Sequence, residues 1–233
     1  MKPYQQIPIN ECGEPLWPIP PEQFFLELPP PYAKLGADYG GKSPFYLRQG
    51  VLSALHLAQV HLQQLHPYWR FKIFDAYRPV AVQQFMVDYT FASLLQTHQL
   101  DRANLTPAQA QALWEQVFQL WAPPSRDRQT PPPHSTGSAI DLTLCDANGN
   151  SLDLGSAIDE FQGAAPDYYA NNPDLKSQTY HHRRQVLNQS LQSAGFRRHP
   201  GEWWHFSLGD QLWAWQRNQE TGSTQFNARY GGI

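Results

Sequence analysis

The chain has 233 residues and a net charge of -3 with histidine neutral. That length fits one domain, or one domain carrying an elaborate insertion. The absence of a basic run argues against nucleic acid as a partner, and no stretch approaches the ~18 consecutive apolar residues of a membrane span.

Hydrophobic residues make up 41% of the chain and aromatic residues 13%, enough for a sizeable core. The 21 prolines gather mostly between Pro3 and Pro31 and between Pro123 and Pro133, marking extended connectors. Cys12 and Cys145 lie far apart and form no metal-type pair. That pattern fits a reducing compartment, with a single disulfide as the alternative. Met1 to Pro8 contains no apolar h-region, so a cytoplasmic location is expected.

Residues 1–42 read as an extended, Pro-rich segment, within which Leu16–Pro20 and Phe24–Leu28 can dock on the body of the domain. A helix is expected after Ser43-Pro44, with Val51, Leu55, Ala58, Leu62 and Leu65 on its core face and Pro67 as its stop. His56, His61 and His66 fall on this helix without an acid or cysteine at ligand spacing, so they read as surface residues. Trp69 to Asp75 reads as a strand, and Pro79 leaves Arg78 where the strand gives out. From spacing alone, Arg78 is either a functional cation or half of an ion pair with Asp75. Residues 81–98 and a segment opened by Thr106-Pro107 read as two helices, and the region 81–122 as an insertion over the sheet. The next strand ends near Leu144 and is followed by the turn Asp146 to Asn150. A helix is expected from about Thr179 to Ala194, then two strands, Phe196–His199 and Trp203–Ser207, joined by Pro200-Gly201.

Two stretches carry the chemistry. In the first, His134-Ser135-Thr136-Gly137-Ser138 is a loop running into Ala139 to Leu144, where Ile140, Leu142 and Leu144 face one way and Asp141 the other. A carboxylate in such a strand needs a partner, and a metal cation is one. The second stretch, Gly201-Glu202-Trp203-Trp204-His205-Phe206, offers another imidazole and a spare carboxylate. His134, Asp141 and His205 together suit zinc, with a fourth position left for water. Glu202 reaches such a metal only through a bend or bulge near Gly201, since three residues along an ideal strand do not share a face. With Glu202 as proton acceptor and Arg78 as oxyanion stabiliser, the set makes a metallo-amide hydrolase. The competing reading makes the two histidines satisfied polar residues and the tryptophan pair core.

Asp75-Ala76-Tyr77-Arg78-Pro79, His134 to Leu144 and Glu202 to Phe206, in this order, resemble the zinc D-alanyl-D-alanine dipeptidases. That group is known from vancomycin resistance and is related to the zinc D,D-carboxypeptidases and the hedgehog domain. The resemblance spans roughly residues 40 to 208. It implies an α+β fold, one domain with a central antiparallel sheet flanked by helices, over residues 43–233. It also implies one zinc on His134, Asp141 and His205, a general base at Glu202, an oxyanion-stabilising Arg78, and Asp159 as the acid that holds the substrate's ammonium group. The implied substrate is the small peptide D-Ala-D-Ala, in cell-wall turnover. Pro132 stands where the family has a serine that helps hold the substrate's amino end. The alternatives are a zinc D,D-carboxypeptidase acting on muropeptides and a zinc-binding interaction domain without catalysis. An open groove marks the first; absence of a working Glu202 and Arg78 marks the second.

Overall fold

The computed structural model describes residues 2–233. In chain order its elements are β1 (Leu16–Pro18), β2 (Phe25–Leu26), α1 (Pro31–Lys34), β3 (Tyr46–Arg48), α2 (Gln49–Leu65), β4 (Arg70–Asp75), α3 (Val80–Thr97), α4 (Pro107–Leu120), β5 (Ala139–Cys145), α5 (Leu175–Ser193), β6 (Arg197–Arg198), β7 (His205–Ser207) and α6 (Gln211–Thr221). Short 3-10 turns at Pro3–Gln6, Arg102–Asn104 and Pro133–Thr136 complete them. This is the expected mixed architecture, a main sheet with helices against it, to which the two-stranded sheet β1-β3 is added.

The main sheet has the order β2-β4-β5-β7-β6. All neighbours are antiparallel except the two-residue edge strand β2, which runs parallel to β4. Alternation along β5 sends Ile140, Leu142 and Leu144 into an apolar core with Phe71, Ile73 and Phe206, closed by Leu55 and Leu62 of α2 and Leu187 and Leu191 of α5. A second cluster lies between α3 and α4 and takes in Tyr32 and Tyr39 from the N-terminal segment. The functional cleft lies at the seam between the two. No helix among the described residues is long and apolar enough to cross a membrane.

Four elements depart from expectation. The first long helix begins at Gln49, not at Ser43-Pro44. Tyr46–Arg48 instead forms β3 and pairs antiparallel with β1, so the β-favouring Phe45-Tyr46-Leu47 run is used as strand. The helix expected from Thr179 starts at Leu175, because the Asp174 carboxylate accepts from Ser177 N at 2.9 Å and caps it. The strand expected from Trp203 begins only at His205. Beyond Ser207, where no element was expected, Asp210 caps α6 through Trp213 N at 2.8 Å and Gly222 ends it in the left-handed region.

Register does the positioning. A bulge between Ile73 and Asp75 breaks the alternation of β4: Ile73 pairs with Leu142 on the core face, while Asp75 pairs with Asp141 on the opposite face. Asp141 in turn pairs with His205 of β7. Three polar side chains from three strands therefore stand in one row across the sheet. His134 joins them from the 3-10 turn before β5, which Gly137 closes with φ 71°. The buried Arg48 holds this turn from outside, donating through Nε to Thr136 O at 2.8 Å, while its backbone N–H donates to Gly137 O at 2.8 Å.

Gly137 allows a sharp prediction. A Cβ there would be held in the left-handed region, at about 1–2 kcal/mol, and would run into the Leu16 side chain. Gly137→Ala is expected to destabilise the fold by at least that amount, read as a lower urea midpoint at unchanged slope. An unchanged midpoint would show that the turn has other conformations open to it.

Candidate active site

His134, Asp141, Asp159, Glu202, His205 and Arg78, the six residues singled out from the sequence, all line one cleft. His134 is fixed first. Its Nδ1 lies 2.7 Å from Ala76 O, which can only accept, so Nδ1 carries the proton. Its Nε2 is turned inward, 3.1 Å from Asp141 Oδ2 and 3.1 Å from His205 Nδ1. His205 Nδ1 is 3.0 Å from Asp141 Oδ1. Ligand-type atoms of these three buried residues lie within 4.8 Å of one another, a group that can hold a metal ion.

Glu202 enters as the bend at Gly201 requires. Residues 199–204 leave the strand geometry, Trp203 N donates to Ala164 O at 3.0 Å, and Glu202 Oε2 comes 3.9 Å from His205 Nδ1. Its other oxygen lies 3.6 Å from Nδ1 of His199. Asp159 approaches from the loop after β5. It accepts from the Tyr32 hydroxyl at 2.9 Å, and its backbone is in the left-handed region, φ 64°. Aspartate reaches that region more readily than most residues, and such conformations gather at functional sites.

Arg78 proves to be a structural pair and a cleft residue at once. Nε donates to Asp75 Oδ2 at 2.9 Å, Nη1 to Gln83 Oε1 at 2.8 Å, and Nη2 to the Tyr32 hydroxyl at 3.0 Å and to Asp141 Oδ2 at 3.1 Å. The guanidinium also lies over the rings of Tyr32 and Trp121, at 4.7 and 5.1 Å from their centroids. Sequence reasoning missed Tyr32, Gln83 and Trp121. They sit in the N-terminal segment, α3 and the end of α4, and no spacing ties them to Arg78. His199 carried one readable signal, the three-residue steps from His199 to Glu202 to His205. His56 and His66 stay on the outer part of α2, one bonded to Leu52 O and the other stacked on Trp69. Pro132 begins the turn that carries His134, its carbonyl accepting from Ser135 N at 3.0 Å.

The charges are strongly perturbed. Burial pushes Asp141 up, but the convergence of His134 and His205 on it outweighs burial and holds the carboxyl well below its ordinary range. Burial, and then the Asp141 charge, lift Asp159 to about 7 against the pull of Arg78. Burial, with Asp141 and Asp159 adding, lifts Glu202 well above an ordinary glutamate. Burial, with His205 and Lys2 adding, drives His199 down to about 3, so it is neutral beside Glu202. A cleft holding three carboxylates, two of them with raised pKa values, is one that calls for additional positive charge. Its enclosed part measures about 40 Å³, room for only a few waters.

A sheet-borne cleft with two inward histidines, a shared carboxylate and a second acid within reach is the site of a metal-dependent hydrolase. The chain belongs to the D-Ala-D-Ala dipeptidase family, whose model matches residues 27–223. It is 50% identical to a D-alanyl-D-alanine dipeptidase of Synechocystis sp., over all of this chain and 97% of that one. An Escherichia coli D-alanyl-D-alanine dipeptidase is 40% identical over 75 residues, 32% of this chain and 37% of that one. Two solved structures are more distant. The LD-carboxypeptidase LdcB covers 91% of this chain and 75% of its own, at 14% identity and a TM-score of 0.45. The vancomycin-resistance D,D-pentapeptidase VanY, in complex with Zn(II), covers 94% and 96%, at 16% identity and a TM-score of 0.44.

Removing Arg78 should cost stability as well as any activity. Arg78→Ala leaves Asp75, 1% exposed, without its counter-charge, a change worth about 3–5 kcal/mol. Adding Asp75→Asn should recover part of the loss. Urea denaturation of the two variants measures this; equal stability of wild type and Arg78→Ala would mean that Asp75 is neutral in the fold.

Proposed function

We propose that this chain is a zinc-dependent dipeptidase that hydrolyses D-Ala-D-Ala in the turnover of cell-wall peptides. The observation that carries the reading is the mutual approach of His134 Nε2, His205 Nδ1 and Asp141 with Glu202 beside them. Atoms bound to one tetrahedral zinc at ~2.0–2.1 Å stand about 3.3 Å apart; His134 Nε2 and His205 Nδ1 stand 3.1 Å apart, and each lies 3.0–3.1 Å from one of the two Asp141 oxygens. Lone pairs packed this closely in a buried place repel unless a cation lies among them. The donor set therefore fits zinc, with His134, Asp141 and His205 as its ligands, one ion per chain. A bound zinc supplies Lewis acidity, which eases deprotonation of water near neutral pH.

The remaining residues take the other roles. Glu202, its basicity raised by burial and neighbouring carboxylates, accepts a proton from the attacking water and delivers it to the leaving amine. Neutral His199 at 3.6 Å leaves that basicity intact. Arg78, held rigid by Asp75, Gln83 and Tyr32, presents positive charge to the oxygen that gains charge as the amide carbonyl is attacked. Asp159 receives the substrate's ammonium group, oriented by Tyr32. Asp159 within the acid-lined cleft supports a substrate with a free amino end, a dipeptide over an extended muropeptide. The two unpaired cysteines, Cys12 and Cys145, accord with a cytoplasmic location.

Two variants and one modified substrate test this. His205→Ala should lose zinc by elemental analysis. Glu202→Gln should keep zinc and lose about 10²–10⁴ in kcat, because a carboxamide cannot take the proton. Acetylating the amino end of D-Ala-D-Ala should abolish cleavage, and Asp159→Asn should raise KM for the free dipeptide. Equal cleavage of free and acetylated substrates by the wild type would replace this reading with the carboxypeptidase.

A further inference from the structure

A dipeptide carries charge at both ends, and Asp159 accounts for only one. Its free carboxylate must enter a cleft lined by Asp141, Asp159 and Glu202, which repel it. Among the described residues, two basic side chains line that cleft, Arg78 and Lys2. Arg78 is held by Asp75, Gln83, Tyr32 and Asp141 in the place where it serves the scissile carbonyl, and turning it to a substrate carboxylate would strip Asp75 of its partner. The Lys2 ammonium has three donors and, among the described residues, spends one, on Phe118 O at 2.9 Å. Its anchor is Phe118 of α4, whereas Asp159 is held by Tyr32.

Lys2 is also held in place. The 3-10 turn Pro3–Gln6 that follows it buries Tyr4 and Gln5. Gln211 Nε2 of α6 donates to Ile7 O at 2.7 Å, to Gln129 O at 2.9 Å and to Gln5 O at 3.3 Å. Ile9 then bridges to Ala228. A terminal segment tied down in this way differs from one that frays in solution. Tyr4 lines the cleft next to Lys2, so the turn walls the site on that side.

We infer that Lys2 binds the substrate's C-terminal carboxylate, and that the turn carrying it blocks peptides extended beyond that carboxylate. This rests on the dipeptidase reading and adds a specificity-determining residue outside the three motifs.

The test compares D-Ala-D-Ala with its C-terminal amide, which keeps the ammonium group and loses the negative charge. Full-length, zinc-loaded wild type, Lys2→Met and Lys2→Arg are assayed with both. A hydrogen bond between charged groups accounts for roughly a 10- to 100-fold preference. Wild type should therefore favour the acid by that factor in KM. Lys2→Met should lose the preference by weakening binding of the acid while its rate on the amide holds, and Lys2→Arg should retain much of it. If Lys2 merely braces the end of α4, Lys2→Met will slow both substrates alike; that result, or a wild type indifferent to amidation, overturns the inference alone. A wild type that cleaves neither substrate overturns the dipeptidase reading and this inference with it.

Discussion

Asp141 lies opposite Asp75 on one side and His205 on the other, in strands that share one register. A slip of either neighbour by a single residue would turn an acid or an imidazole into the apolar core and bring a core residue such as Phe206 out into the cleft. The register is held from below, because Ile140, Leu142, Phe71, Ile73 and Phe206 are all fully buried on the core face. The hydrophobic face thus sets the geometry of the polar face, and the bulge in β4 lets Asp75 change sides without disturbing Ile73. The chemistry of the cleft depends on packing that never touches it.

Upon that frame lies an electrostatic imbalance. Asp75, Asp141, Asp159 and Glu202 share a small buried volume in which Arg78 is the innermost permanent cation. Asp141 remains ionised because imidazoles and the guanidinium converge on it, whereas Asp159 and Glu202, with fewer opposing partners, are lifted. The same neighbourhood therefore yields one firmly charged carboxylate and two poised ones. On the proposed reading that division of labour separates a metal ligand from a proton acceptor and an ammonium receptor.

The sheet and its site were legible where the pattern is local. Ile140, Leu142 and Leu144 alternate cleanly, Thr106 to Gln109 forms the capping box its spacing promised, and Pro79 marks where β4 ends. The need for a bend before Trp203 followed from the spacing of Glu202 and His205 alone. What stayed hidden is non-local. Nothing near Tyr32 in the chain indicates that its hydroxyl bridges Arg78 and Asp159. Tyr46–Arg48 becomes a strand because Leu16–Pro18 lies beside it, not through its own sequence alone. Arg48 looks like an ordinary surface cation until the structure places it, 5% exposed, under the turn that carries His134. Neither long-range pairing nor burial of a lone arginine leaves a periodic trace.

The seat of the Pro3–Gln6 turn has a consequence for biosynthesis. Its anchors, Gln211 and Ala228, lie about 200 residues further along the chain. The turn is therefore made long before the residues that seat it. Until then the cleft lacks a wall, even if the sheet has already formed. A nascent chain that already carries the whole polar row still lacks that wall until Gln211 and Ala228 have been added.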